Sequence, residues 1–219
     1  MGITTFILGE PGTGKSASMR NMPPEETLLI QCIKKPLPFR SATWKLFNRE
    51  SCKTGNIFVT DDYQKIIELM QKTSRKRVVI DDYQYLMCNE FMRRTDERGF
   101  DKFSEIGHHA WKVIMDAADL PDDVRVYVLC HTDTSSDGMT KIKTIGKMLD
   151  EKVSLDGMVT ICLRTKVMDG QFHFTTRNSG FDTVKSPMGL FDAAMIDNDL
   201  EAVDAAICNY YGIGQAAAA

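Results

Sequence analysis

The sequence lacks the features that mark membrane-bound and secreted proteins. None of its apolar runs approaches the roughly 18 residues that a membrane-spanning helix needs, so we expect no membrane segment. The opening stretch MGITTFILGE becomes polar too soon for a signal peptide. Phe6 stands where a myristoylation site has Ser or Thr, which excludes that lipid anchor. These absences together predict a cytoplasmic protein with no membrane partner.

Cysteine pairs and a strong basic charge are also missing. The six cysteines form no CxxC pair and several lie in apolar runs such as VYVLCH, so we expect reduced, mostly buried thiols. No histidine falls at zinc-ligand spacing from a cysteine pair. The formal net charge of −3 argues against a protein held to nucleic acid by bulk charge alone. Basic residues are nevertheless concentrated in residues 32–60, and acidic residues in 191–219.

Short apolar runs alternate with helical patterns along the chain. Runs typical of strands buried on both faces occur at ITTFIL, TLLIQCI, NIFVT, RKRVVIDD and VRVYVLCH. Helices are expected to begin near Lys15, after Asp61 as N-cap, and near Phe103. The stretch MVTICLRTKVMDGQFHFTT predicts a β-hairpin that turns at Asp169-Gly170.

This alternation predicts an α/β fold of three layers. A mainly parallel sheet is expected, extended by the C-terminal β-hairpin. We expect one domain over residues 1–219, with a C-terminal helix over about 198–211 and a tail over 212–219. Gly212 suits the position just beyond the end of that helix.

A glycine-rich loop near the start of the chain predicts a nucleotide site. The segment GEPGTGKS, Gly9–Ser16, matches GxxxxGK[ST] at every fixed position and lies between a β run and a helix. Its glycines allow a backbone in which N–H groups form an anion nest. Lys15 is expected to reach the β- and γ-phosphates, and Ser16 to offer its hydroxyl to Mg²⁺. The predicted nucleotide-binding residues are Gly9, Glu10, Pro11, Gly12, Thr13, Gly14, Lys15, Ser16 and Ala17.

Two carboxylates end the apolar strand VVIDD at positions 78–82. Asp81 is expected to hold Mg²⁺, directly or through water, together with Ser16. Asp82 is a candidate to orient or activate the attacking water, and the alternative is an ordinary surface carboxylate. With the glycine-rich loop, this pair predicts an ATPase that uses ATP and Mg²⁺.

These motifs lead to a family resemblance. The chain resembles the RecA recombinase core, and more closely the small phage-encoded RecA-like ATPases of single-strand annealing and recombination. The segments that carry the resemblance are GEPGTGKS at 9–16, KPLPF at 35–39, VVIDD at 78–82, VLCHTD at 128–133, TIGKMLDEKV at 144–153 and KSPMGLF at 185–191. They span nearly the whole chain. The resemblance implies a P-loop NTPase core that binds single-stranded DNA and promotes strand annealing or homologous recombination in the host-cell cytoplasm. It also implies a homo-oligomer, as a ring or a filament, and a single-strand binding protein as a further partner.

The resemblance further assigns residues to sensing and to DNA binding. His131 would sense the γ-phosphate, and two DNA loops would follow the neighbouring strands at about 88–102 and 132–143. The residues implied to contact DNA are Arg93, Arg94, Arg98, Lys102, Lys141 and Lys143. The first loop also carries four acidic residues, so an ordinary solvated loop is the alternative. Likewise, KKPLPFRSATWK is either a single-strand contact or a packed connector around Trp44.

The sequence departs from full recombinases at one catalytic position. Recombinases carry a glutamate just after the strand that follows the P-loop helix, whereas this chain has Gln31 there. An amide can hold a water but cannot accept its proton, so we expect slow hydrolysis or the use of Asp82. The candidate catalytic residues are Lys15, Gln31, Asp82 and His131.

Other functions share the same nucleotide motifs. A P-loop nucleoside or nucleotide kinase is one alternative, with RRTDER at 93–98 as a lid over the phosphates. A nucleotide-dependent switch or assembly ATPase without direct DNA binding is another.

The chain begins almost at the first strand, so we expect a ring or a weaker assembly as an alternative to a filament.

Overall fold

A computed structural model describes residues 1–214 of the chain. The part of the predicted tail from position 215 onward lies outside the described residues. Within residues 1–214, no helix is both long and apolar enough to cross a membrane.

The fold is α/β and is built on a mainly parallel sheet. The ten strands of residues 1–214 are β1 (Ile3–Leu8), β2 (Thr27–Gln31), β3 (Ile57–Val59), β4 (Arg77–Asp81), β5 (Arg125–Cys130), β6 (Thr132–Thr134), β7 (Thr140–Ile142), β8 (Ile161–Met168), β9 (Gln171–Thr175) and β10 (Met195–Asp197). Eight of them form one sheet in the order β10-β9-β8-β1-β5-β4-β2-β3, and β6 pairs with β7 separately. β1 to β5 and β8 run parallel, whereas β9 is antiparallel to both β8 and β10.

Helices cover both faces of this sheet. The α-helices are α1 (Tyr63–Lys72), α2 (Gln84–Arg93), α3 (Asp101–Ala118) and α4 (Leu200–Tyr211). Because side chains alternate along a strand, Val78 of β4 packs into the core under α1 and α3, and Val79 packs into the core under α4. The continuous apolar strands therefore serve two cores, which is compatible with the three-layer arrangement.

Two predicted DNA loops turn out to be largely regular structure. The first is wrong as a loop, because α2 extends to Arg93 and α3 begins at Asp101, leaving only residues 94–100 as a connection. The start of α2 buries Leu86 and Met87, and this burial favours a helix despite the charged residues that follow. The second, at 132–143, is a two-stranded ribbon of β6 and β7.

Two local predictions also need correction, and one strand was not predicted. The helix expected from about Lys15 is a 3₁₀ segment at Ser16–Asn21, ended by extended Met22 before two prolines. Asp62, not Asp61, caps α1, since its Oδ1 accepts from the backbone N–H groups of Gln64 and Lys65. The third strand of the antiparallel extension, β10, has no counterpart in the sequence analysis.

A buried carboxylate joins α4 to the sheet. Asp204 is fully buried and accepts hydrogen bonds from Arg125, Arg77 and the Tyr127 hydroxyl. Arg125 donates from Nε to Asp204 Oδ1 at 2.9 Å and from Nη2 to Asp204 Oδ2 at 3.0 Å, so the ion pair is bidentate. This cluster fixes α4 against β4 and β5 at the end of the sheet away from the Gly9–Ser16 loop.

Candidate nucleotide site

The Gly9–Ser16 loop lies at the carboxyl end of the parallel strands, where α/β sheets bind ligands. Gly12 and Gly14 have φ angles of 77° and 97°, a region that disfavours residues with a Cβ. A Cβ at Gly14 would also lie 3.0 Å from the ring of Phe172 on β9. The two glycines therefore give the loop the backbone conformation that an anion nest requires, and the ring of Phe172 lies beside Gly14.

Lys15 is held inside the loop rather than in solvent. Its side chain is 5% exposed, and its Nζ donates to the carbonyl oxygens of Gly9 and Glu10, both at 2.8 Å. Burial lowers the pKa of Lys15, and the nearby charge of Asp82 offsets part of that effect. The ammonium is thus placed to exchange two carbonyl partners for phosphate oxygens.

Ser16 and Asp81 meet although 65 positions separate them in the sequence. The Ser16 hydroxyl donates to Asp81 Oδ1 at 2.8 Å. Asp81 is 1% exposed, and its other oxygen, Oδ2, is buried with no hydrogen-bond partner. A buried oxygen without a donor has the electrostatic character of a cation ligand.

These two residues fit Mg²⁺ brought by a nucleotide. Mg²⁺ is usually held by one or two carboxylates together with substrate phosphates and water. Within the described part of the chain, no group of three or more His, Cys, Asp or Glu side chains is placed to hold a metal ion. Ser16 and Asp81 would therefore share Mg²⁺ with phosphate oxygens, and no separate protein cage is present among residues 1–214.

Burial raises the pKa of Asp81 to about 6, and the neighbouring Asp82 adds to this rise. The folded protein therefore holds this proton more tightly than the unfolded chain, whose reference pKa is 3.8. The ionised Asp81 carboxylate lowers the free energy of unfolding. This loss of stability is absent near pH 4, grows as the pH rises, and is complete above about pH 6.

Asp81→Asn is accordingly expected to stabilise the protein in the absence of nucleotide, by roughly 3 kcal/mol at pH 7.5, since the pKa is raised from 3.8 to about 6 and one pKa unit is worth about 1.4 kcal/mol. The gain over wild type should nearly vanish at pH 4. Urea unfolding of both proteins at the two pH values measures it. Asp96→Asn, on the exposed 94–100 connection, is the matched control and should show no such change. A gain that is equal at both pH values would contradict the burial explanation.

Asp82 forms an ion pair with a lysine that was not predicted as a site residue. Lys35, in the irregular segment after β2, forms a close ion pair with Asp82 Oδ2 and lies 3.8 Å from Asp81 Oδ2. Burial alone lowers the pKa of Lys35, but Asp81 and Asp82 raise it overall. Asp82 itself takes a left-handed conformation, with φ 58°. As a base for water it must first lose its lysine partner.

Gln31 does not face the same cleft. Its side-chain Nε2 donates to the backbone carbonyl of Lys35 at 3.1 Å, and the amide is buried. Its contact therefore fixes the path of the chain after β2 and does not present an amide to a water near Lys15. The prediction that Gln31 holds the attacking water receives no geometric support.

His131 directly follows β5 and lines the same cleft as Lys15 and Asp82. Its Nε2 is 3.7 Å from Asp82 Oδ1, and its backbone N–H donates to the side chain of Gln84. Burial, together with the charge of Lys15, lowers the pKa of His131, so the imidazole is neutral at pH 7. A neutral imidazole can donate one hydrogen bond to a phosphate oxygen.

The predicted loop, Asp82 and His131 together line a cleft of about 490 Å³. The lining residues are Pro11, Gly12, Gly14, Lys15, Ser16, Ala17, Ile33, Lys35, Pro38, Asp82, Tyr85, His131 and Phe172. Of these, Ile33, Lys35, Pro38, Tyr85 and Phe172 were not predicted as site residues. The sequence predicted KPLPF as part of the family resemblance and of a DNA contact or connector, and not as part of the nucleotide site, because its position at the cleft depends on the path of an irregular segment.

No protein-family model and no curated protein matches this sequence. Function is therefore inferred from the site, because fold class alone does not determine activity.

Most of the predicted DNA-contacting residues are engaged within the protein. Arg93 pairs with Asp61 at 2.6 Å. Arg94 pairs with three glutamates, at positions 90, 97 and 105. Lys102 is 8% exposed and donates to two backbone carbonyls, and Lys141 donates to the carbonyl of Asp150.

The remaining two predicted DNA residues, Arg98 and Lys143, are exposed and make no ion pair within residues 1–214. None of the six DNA candidates lines the cleft. Within the KKPLPFRSATWK segment, Trp44 is 7% exposed and packs edge-on against Phe39, which is the packing that the connector alternative predicts.

Proposed function

We propose that this chain binds ATP with Mg²⁺ in the cleft around the Gly9–Ala17 loop and hydrolyses it as a RecA-like ATPase. The observation that carries the proposal is the Ser16–Asp81 hydrogen bond beside the buried Lys15. It joins the two halves of a nucleotide signature at one end of the sheet. The buried Lys15, the Ser16 hydroxyl and the carboxylate oxygen of Asp81 that has no hydrogen-bond partner support this assignment, because phosphates and Mg²⁺ need these groups.

The polar and charged groups at the cleft have distinct roles in this proposal. Backbone N–H groups of the loop and Lys15 would hold the phosphates. Ser16 and Asp81 would hold Mg²⁺, which when bound neutralises charge on the β- and γ-phosphates. His131, kept neutral, would donate to a γ-phosphate oxygen. Asp82 would orient the attacking water once Lys35 has left it.

A second candidate function is a nucleotide-dependent switch with very slow turnover. The observation that favours it is the absence of a free carboxylate among the described residues that line the cleft: Lys35 pairs with Asp82, and Gln31, outside the cleft lining, donates to a backbone carbonyl. The β6–β7 ribbon offers an output, because Thr132 donates to the side chain of Glu10 in the loop. For the kinase alternative, Arg93 and Arg94 lie outside the cleft lining, so no observation favours a lid there.

Phosphate release from ATP separates these two candidates. The purified chain is incubated with ATP and Mg²⁺, and separately with ATP and a chelator. An ATPase yields multiple phosphates per chain in Mg²⁺ and none with the chelator. A switch yields one phosphate per chain or fewer, although ATP stays bound. Release that continues in the chelator would contradict the magnesium assignment.

The proposal extends to single-stranded DNA, strand annealing and a homo-oligomer, on the strength of the resemblance. The available cations for DNA phosphates are Arg98 and Lys143, since the other four candidates already have partners inside the protein. Lys143 follows the β6–β7 ribbon, and its backbone N–H donates to the carbonyl of His131 at 2.8 Å. This contact links the proposed sensor to a proposed DNA contact.

Binding of a labelled single-stranded oligonucleotide across a salt series tests this extension. With two phosphate contacts per chain, the logarithm of the affinity should fall with the logarithm of salt with a slope of about −1.4, near −0.7 per contact. The affinity should also differ between ATP and no nucleotide. The absence of binding in every nucleotide state would remove the DNA role and leave the nucleotide site standing.

A further inference from the structure

Lys35 is placed where a cation is required. Asp81 and Asp82 lie side by side at the end of β4, and both are nearly buried, with 1% and 3% of their surfaces exposed. Two adjacent buried carboxylates repel each other and are costly unless a positive charge lies close by. Lys35 supplies that charge, at hydrogen-bond distance from Asp82 and 3.8 Å from Asp81.

The position of Lys35 is built into the chain and is not that of a freely moving surface lysine. Gln31 donates to the Lys35 carbonyl, which fixes the backbone four residues after the end of β2. Prolines on both sides of Leu37 restrict the following segment. The Lys35 side chain lines the cleft from this segment, together with Lys15 and His131.

The ammonium and a metal ion compete for the same oxygens. Asp81 Oδ2 is the buried oxygen without a hydrogen bond, and it is the atom that Lys35 approaches at 3.8 Å. A divalent ion bound by Ser16 and Asp81 would place two positive charges within a few ångströms of this ammonium. At such separations, like charges in a partly buried site repel by several kcal/mol.

We propose that, when the cleft holds no nucleotide, the Lys35 ammonium compensates the charge of Asp81 and Asp82 in place of Mg²⁺ and so prevents the metal from binding alone. Mg²⁺ then enters only with a nucleotide, whose phosphates compensate both cations and draw Lys35 away from Asp82. Lys35 is thus a positioning residue that makes metal binding conditional on nucleotide and frees Asp82 at the same time. This inference rests on the proposed nucleotide site.

The Lys35 side chain can move although its backbone is fixed. It lines both the nucleotide cleft and a second cleft of about 470 Å³, which Pro36, Leu37 and Trp44 also line. The side chain of Lys35 is itself 37% exposed. Withdrawal from Asp82 therefore needs no unfolding of β2 or of the core.

The test is the affinity for Mn²⁺, used in place of Mg²⁺, with no nucleotide present. The electron paramagnetic resonance signal of free Mn²⁺ is titrated with wild type, Lys35→Met, Lys35→Arg and Lys34→Met. Lys35→Met is expected to bind Mn²⁺ about tenfold more tightly than wild type. Lys35→Arg keeps the charge and should behave as wild type. Lys34→Met removes a neighbouring exposed lysine and should change nothing.

Equal Mn²⁺ affinity in Lys35→Met and wild type would overturn the inference, as would undetectable binding in both. Should Lys35→Met fail to fold by circular dichroism, Lys35→Gln is measured in its place. Because the titration uses no nucleotide, it is independent of ATP binding. A chain that binds MgATP but shows no effect of Lys35 keeps the proposed function and loses this inference. A chain that shows the effect of Lys35 on Mn²⁺ affinity but does not bind MgATP would keep this inference and contradict the proposed function.

Discussion

Lys15→Ala is expected to weaken MgATP binding by about 100-fold, without loss of fold. The ammonium now donates to two loop carbonyls, and with nucleotide bound it would donate to charged phosphate oxygens. A hydrogen bond to a charged group is worth about 1.5–3 kcal/mol, and 1.4 kcal/mol corresponds to tenfold in affinity. Calorimetric titration of ATP into wild type and variant, in Mg²⁺, measures the difference.

The matched control is Lys34→Ala, which removes an equally charged but exposed lysine outside the cleft lining. It is expected to bind MgATP as wild type does. Thermal unfolding without nucleotide checks that Lys15→Ala is folded. A variant that is folded and retains wild-type affinity would show that phosphates do not bind at this loop.

Asp204→Ala is expected to lower the free energy of unfolding by about 3–5 kcal/mol, the usual cost of removing one partner of a buried ion pair. The substitution leaves Arg125 buried without a counter-charge and removes the acceptor of the Tyr127 hydroxyl. Arg77 still pairs with Glu26 and Glu201, so it is not left without a counter-charge. Urea unfolding at pH 7 followed by circular dichroism measures the loss.

Glu201→Ala is the control for this cluster. Glu201 lies on the same helix and pairs with Arg77, but its side chain is 33% exposed, so its removal should cost about 1 kcal/mol or less. Asp204→Asn keeps the shape and removes the charge, and its cost should fall between the two. An Asp204→Ala protein as stable as Glu201→Ala would mean that the buried cluster does not hold α4 to the sheet.

The sequence predicted the parts of this fold that repeat a simple pattern. Mostly apolar runs identified β1, β2, β4 and β5, because a strand packed on both faces buries nearly every side chain. The motif at Gly9–Ser16 and the strand ending in Asp81 predicted two neighbours that the structure brings to 2.8 Å. Parallel strands end at one edge, so a loop after β1 and a carboxylate after β4 meet there without any further information.

The failures have a different physical origin. The resemblance implied a DNA loop at about 88–102, yet α2 reaches Arg93 because residues in its first turn are buried. The direction of the Gln31 side chain depends on a contact with Lys35, four positions away in irregular backbone. Lys35 belongs to no element with a period, so only three-dimensional coordinates could place it on Asp82.

The central claim is that Ser16 and Asp81 form a magnesium site that a nucleotide completes. The most direct measurement is the ATP affinity of wild type and of Ser16→Ala, each with Mg²⁺ and with a chelator. Wild type is expected to bind one ATP per chain, at least tenfold more tightly in Mg²⁺, and Ser16→Ala should lose most of that gain. An equal gain from Mg²⁺ in both proteins, or no ATP binding by wild type, would contradict the account.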